Sequence, residues 1–168
     1  MKMAFELNIG AIMGDFARAN LFEVEIPFLG RDFKVKCKAA TLPNSTVEKV
    51  PVSYQNRKIN IGGDREFDDW VITVYNDTKH IVRDQFLAWS RMVHQQDRRI
   101  YGDAPEDYKK DGYVRQYDRK NVQTAQYLMK GIWPTIVGEI QLDWDTNNEV
   151  ETFEVTLAID WWEPASAI

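Results

Sequence analysis

Apolar positions recur along the chain in two rhythms. The first is helical. After the β-branched, aromatic run Trp70–Tyr75, which predicts a strand, Asn76-Asp77-Thr78 opens a segment in which Val82, Phe86, Trp89 and Val93 recur at i, i+4, i+7 and i+11. That is one apolar stripe on a 3.6-residue period, and it predicts an amphipathic helix over about 78–95 packed on a sheet. Asp77 or Thr78 can accept a hydrogen bond from an orphan backbone N–H at its start.

The second rhythm is alternation, and it fills the rest of the chain. Phe22, Val24 and Ile26 alternate with polar residues, as do Phe33, Val35 and Cys37. A hairpin turning at Phe28–Arg31 would set Val24 opposite Val35 and Phe22 opposite Cys37. The same register pairs Glu25 with Lys34 and Glu23 with Lys36. A second hairpin is expected over Val47–Gly63, turning at Gln55–Lys58, with Tyr54 facing Ile59 and Val52 facing Ile61. Pro51 cannot donate to a ladder, which makes its arm an edge or a projection. Asp97–Gly112 reads as a loop, followed by strands at Tyr113–Tyr117, Val122–Met129, Ile136–Leu142 and Thr152–Trp162. In the last of these Phe153, Val155, Leu157, Ile159 and Trp161 share one face. Trp133-Pro134 reads as a strand edge or turn. The pattern predicts a mainly β protein: one domain over 1–168, an antiparallel β-sandwich or open barrel with one flanking helix.

Composition narrows the function. The chain has 168 residues, 44 % of them apolar, enough for a core. Its net charge of −5 argues against a basic surface that grips nucleic acid. A single cysteine, Cys37, cannot close an internal disulfide, and no apolar run reaches membrane-spanning length.

Candidate chemistry is sparse. His80 and His94, both expected in the helix, are separated by about four turns at ~1.5 Å rise per residue, too far to share a metal or a proton. Cys37, on a buried strand face, reads as inert packing. Asp143, Asp145, Asn147, Glu151 and Glu154 fall at positions 1, 3, 5, 9 and 12 of a calcium loop. Strands rather than helices flank that loop, so it reads as a turn between strands. Neighbouring Asp68 and Asp69 would point to opposite faces. No catalytic, cofactor or metal site is expected. Six Trp, seven Tyr and eight Phe in such a domain suit a binding or assembly module.

A set of segments in order then carries a resemblance. It comprises Gly14-Asp15-Phe16-Ala17-Arg18, Cys37-Lys38-Ala39, the run Asn56–Asp77, Tyr108-Lys109-Lys110 and Val114-Arg115-Gln116-Tyr117. Gly131-Ile132-Trp133-Pro134-Thr135, Gly138-Glu139, Leu142-Asp143-Trp144-Asp145 and Thr152–Leu157 complete it. Spanning nearly the whole chain, these segments resemble the tail tube proteins of contractile-tailed bacteriophages.

The resemblance implies a structural virion protein, made in the host cytoplasm and carried in the tail. Six copies would close into a ring with a β-lined lumen, and rings would stack into the inner tail tube. DNA would pass through that tube without specific binding during ejection. The implied partners are the contractile sheath, the baseplate and tail-terminator proteins, and a tape-measure protein in the lumen. Tube subunits of type VI secretion systems and contractile bacteriocins are the nearest alternative. A monomeric β-domain that binds or hydrolyses a small ligand is the rival of another class. In the family, the tip corresponding to Asn56-Arg57-Lys58 reaches the adjacent ring. Val50, Val52, Tyr54, Asn56, Arg57, Lys58, Ile59 and Ile61 are accordingly expected at the inter-ring interface.

Overall fold

A computed structural model describes residues 16–145 and 149–165. In chain order the elements are β1 (Phe22–Glu25), a 3-10 turn (Pro27–Leu29), α1 (Phe33–Lys36) and β2 (Cys37–Ala40). Then come β3 (Ser45–Tyr54), β4 (Arg57–Phe67), β5 (Trp70–Tyr75), α2 (Ile81–Val93) and α3 (Pro105–Tyr108). The chain continues through β6 (Lys110–Tyr117), β7 (Gln123–Val137), β8 (Thr152–Ala158) and β9 (Trp161–Ala165). One seven-stranded antiparallel sheet runs β1-β6-β7-β8-β5-β2, with β9 also on β7, while β3 and β4 form a separate two-stranded ribbon. The end strands β1 and β2 approach each other, so the sheet curls toward an open barrel.

Strand β7 joins two half-sheets. Its first part pairs with β6 and β9, its last part with β8. The bend lies at Gly131, whose φ of +65° favours glycine. A Cβ there would sit 2.2 Å from Asp160 Oδ2. Asp160 holds the corner from the other side: its N–H donates to Lys130 O at 3.0 Å, and its carboxylate takes Lys109 Nζ at 2.7 Å. Trp133-Pro134 is therefore interior to a strand, not its end. Pro134 sits opposite Leu157, and a register shift beside it absorbs the missing donor. The expected strand Ile136–Leu142 stops at Val137, and Thr152–Trp162 breaks at the same corner. Phe153, Val155 and Leu157 are buried, but Trp161, beyond the break, is 40 % exposed.

The expected hairpin between residues 20 and 39 does not form. Pro27 starts a 3-10 turn instead, with Leu29 N–H donating to Ile26 O at 2.9 Å. Phe33 to Lys36 then wind into a helical turn that buries Phe33 against Phe86, ring centroids 5.8 Å apart, and leaves Val35 86 % exposed. Strand β1 pairs with β6, Val24 opposite Val114, and β2 pairs with β5, Cys37 opposite Val74. Burial of Phe33 under the helix takes precedence over the local alternation and leaves Val35 in water.

Helix α2 closes the core. It is shorter than expected at both ends, so His80 and His94 flank it rather than lie within it. Asp77 Oδ1 accepts the Ile81 N–H at 2.9 Å. Val82, Phe86 and Trp89 are buried and Val93 is half-buried. Phe86 meets Phe153 edge-on, and Trp89 Nε1 donates to Tyr108 O at 2.6 Å. The core joins Val24, Val114 and Met129 of one half-sheet to Ile72, Val74, Val155 and Leu157 of the other.

Candidate assembly surface

The β3–β4 ribbon stands apart from the sheet. Its turn is two residues long: Gln55 and Asn56 have φ of +43° and +62°, the left-handed geometry whose twist matches that of a strand pair. This tight turn sets a register two residues from the expected one. Tyr54 pairs with Arg57, Val52 with Ile59 and Val50 with Ile61. The turn is thus Gln55-Asn56 alone, and Arg57 and Lys58, expected within it, belong to β4.

Paired residues share a face, as do residues two apart in a strand. Val50, Val52, Tyr54, Arg57, Ile59 and Ile61 therefore form one surface, apolar but for the arginine. Of the other two residues expected with them, Asn56 lies in the turn and Lys58, opposite Ser53, lies on the reverse face with Lys49, Pro51 and Asn60. The stripe is uncovered: Ile59 is 53 % exposed and Ile61 55 %. The arms also run past Gly62-Gly63 to Ser45 and Phe67, with a register shift between Val47 and Lys49. Gly63 lies against that shift, where a Cβ would come 3.0 Å from Val50 Cγ2.

The outer face of the β1–β6–β7 half-sheet is charged and internally paired. Lys34 Nζ lies 2.7 Å from Glu23 and 3.3 Å from Glu25, and Arg115 bonds both carboxylates. Tyr117 Oη donates to Glu23 at 3.1 Å. Burial pushes both carboxyls up, but hydrogen bonds and the charges of Lys34 and Arg115 outweigh it and hold them below the usual carboxylate range. Lys36 reaches Asp77 at 2.9 Å instead of Glu23. Of the two expected pairs, Glu25 with Lys34 is present, while Glu23 takes Lys34 and Arg115 in place of Lys36. Cys37 is inert: burial pushes its thiol up to about 12.

Among the described residues no group of three or more His, Cys, Asp or Glu could hold a metal, and no helix is long and apolar enough to cross a membrane. The calcium-loop spacing lies partly outside the described residues, at 146–148. One exposed feature escaped the sequence reading. On the loop between β7 and β8, Leu142 is 84 % exposed, Trp144 97 % and Val150 65 %. Asp68 and Asp69 join β4 to β5 outside both strands.

An uncovered apolar ribbon on a sheet domain with a paired charged face is the architecture of a subunit that assembles. The sequence profile of the phage tail tube protein matches residues 1–163. The chain belongs to that family. It is 56 % identical over 152 residues to the tail tube protein gp19 of Enterobacteria phage T4, covering 89 % of this chain and 93 % of that one. The family is structural and not enzymatic, and the chain is a tail tube subunit of the contractile-phage type. Its fold recurs in the sheath–tube complex of an extracellular contractile injection system, with TM-score 0.67, 12 % identity and coverage of 95 % and 98 %. It recurs again in the anti-feeding prophage baseplate, 6-fold symmetrised, with TM-score 0.65, 9 % identity and coverage of 91 % and 97 %.

Proposed function

We propose that this tail tube subunit closes into rings of six and that the β3–β4 ribbon stacks one ring on the next. The observation that carries the reading is the exposed stripe of Val50, Val52, Tyr54, Ile59 and Ile61, which none of the described residues covers. Burying one Val or Ile side chain is worth roughly 1.5–3 kcal/mol, so a stripe left in water is a strong drive to associate. A ten-residue arm such as β3 spans about 30 Å at ~3.3 Å per residue.

The stacked rings form the inner tube of the tail, inside a contractile sheath and ending at baseplate and terminator proteins. A tape-measure protein and then DNA occupy the lumen, and assembly takes place in the host cytoplasm. The family membership and the neighbours' sheath–tube and baseplate assemblies support the sheath and baseplate as partners.

A carboxylate buried unpaired between rings is expensive. The Ile59→Asp and Ile61→Asp variants are expected to keep the wild-type circular dichroism spectrum and to form no tubes under the electron microscope. Long tubes from either variant, or loss of fold in both, would refute the ribbon's role.

A further inference from the structure

We infer that Trp162 pins the β3–β4 ribbon at a fixed angle to its own body, so that a subunit presents the ribbon already aimed. The inference rests on the ribbon's stacking role and names the residue that prepares the ribbon for it.

The ribbon is otherwise free to swing. Among the described residues, no side-chain hydrogen bond or ion pair joins residues 45–66 to the body; Arg65, for instance, donates to Ser45 inside the ribbon at 2.5 Å. Its root is backbone. Asp68 N–H donates to Asn44 O and Thr41 N–H to Val71 O, both at 3.1 Å, and the linkers 41–44 and 68–69 lie outside the strands. These bonds fix where the ribbon starts but not its tilt. Tilting an arm about 30 Å long by about 10° moves its tip by about 5 Å, as much as the spacing of neighbouring strands. An aim that loose would lose its register on a partner.

One aromatic contact removes that freedom. Phe67, the last residue of β4, is half-buried, and its ring meets Trp162 edge-on, centroids 6.3 Å apart and planes at 71°. Trp162 meets Tyr127 in the same way, at 5.9 Å and 75°. In the β7–β9 ladder Trp162 lies opposite Met129 and Tyr127 opposite Pro164. Tyr127 and Trp162 therefore share the face of the buried Met129, at the margin of the core. The final side chain of the ribbon lodges in that margin. Edge-to-face pairs prefer a defined geometry, so two in succession restrain tilt as well as distance. Strand β9 is itself fixed where it begins, by the Asp160 corner that Lys109 and the Lys130 carbonyl hold.

The indole N–H of Trp162 is buried and has no partner among the described residues. A buried tryptophan usually finds an acceptor for that group. Here the ring alone is what the site uses, and phenylalanine should serve in its place. A segment held in its binding orientation loses less freedom on docking, so the pin lowers the concentration at which rings stack.

The test measures the angle in the whole chain. Spin labels are placed at Lys58→Cys on the ribbon and Gln85→Cys on the exposed side of α2, with Cys37→Ala, and the labelled chain is diluted into unlabelled subunit. Electron–electron resonance is expected to show one narrow distance distribution in this parent and in Trp162→Phe, and a broad one in Trp162→Ala and Phe67→Ala. Without labels, the alanine variants are expected to need a higher protein concentration to form tubes in sedimentation, and Trp162→Phe is not. Distributions as narrow in both folded alanine variants as in the parent overturn the inference, as does equal broadening in Trp162→Phe. If circular dichroism shows Trp162→Ala unfolded, Phe67→Ala decides; if both unfold, the contact is core and the pin is refuted. The distance measurement needs no assembly, so the pin can fail while Ile59→Asp still blocks tubes and the stacking role stands.

Discussion

Single residues set both the core and its acid limit. Phe86 and Trp89 are fully buried where helix, α1 and both half-sheets meet. Phe86→Ala or Trp89→Ala is expected to cost about 3–5 kcal/mol, read from urea denaturation of the subunit; a loss below about 1 kcal/mol in both would remove the helix from the core. The carboxyls of Glu23 and Glu25 are held low by Lys34 and Arg115, so their contribution to stability is present above the unfolded carboxylate value near 4.5. It is lost as pH falls through the lowered folded values. The urea midpoint should fall steeply below about pH 4.5 in the wild type and less steeply in Glu23→Gln. A midpoint as pH-dependent in the variant as in the wild type would place the acid sensitivity elsewhere.

At the scale of elements, the readings that held were those with one strong local cause. The helix was legible because four apolar residues repeat on its period and Asp77 begins it. Strand β8 was legible because burial alternates with its pleat. What misled was a pattern with two solutions. Phe33, Val35 and Cys37 alternate as a strand would, but burying Phe33 under a helix nearly fifty residues ahead in the chain gave the better packing. The ribbon was visible as a hairpin, yet its register depended on a two-residue turn at Gln55-Asn56 whose left-handed backbone has no strong marker without glycine. The bend in β7 was hidden as well, because Gly131 does its work against Asp160, distant in sequence. Gly131→Ala is expected to cost about 1–3 kcal/mol, from the positive φ and the displaced carboxylate together. An unchanged melting temperature would mean that the corner relaxes freely.

At the scale of the molecule, the candidate interface was half legible. The apolar arms of the ribbon and the face they share could be read from the sequence, because a two-residue slip keeps every side chain on its side; the exact pairing could not, since it follows from the turn. The exposed Trp144 could not be told from a core tryptophan before its loop was placed. The charge prediction also depends on placement. Lys34 and Lys36 are taken by Glu23, Glu25 and Asp77, and Lys38 lies over the Tyr75 ring at 5.9 Å. That run of lysines is therefore no free cationic strip. Assembled tubes are expected to show no salt-dependent DNA affinity in filter binding; tight binding at low salt that collapses as salt rises would contradict it.

The strand order has a consequence for when the subunit can exist. Strand β1 finds its partner only in β6, and β5, flanked early by β2 alone, waits for β8 to fill its other edge. During vectorial synthesis the ribbon is the first complete sheet element, since β3 and β4 are joined by two residues. The body that carries it cannot close until residues 152–158 have been made. Pairings this distant along the chain form slowly, over milliseconds to seconds. Folding of the body is thus a clock that runs behind the ribbon, and the nascent chain carries that exposed apolar stripe for a stretch of its life before the body can close.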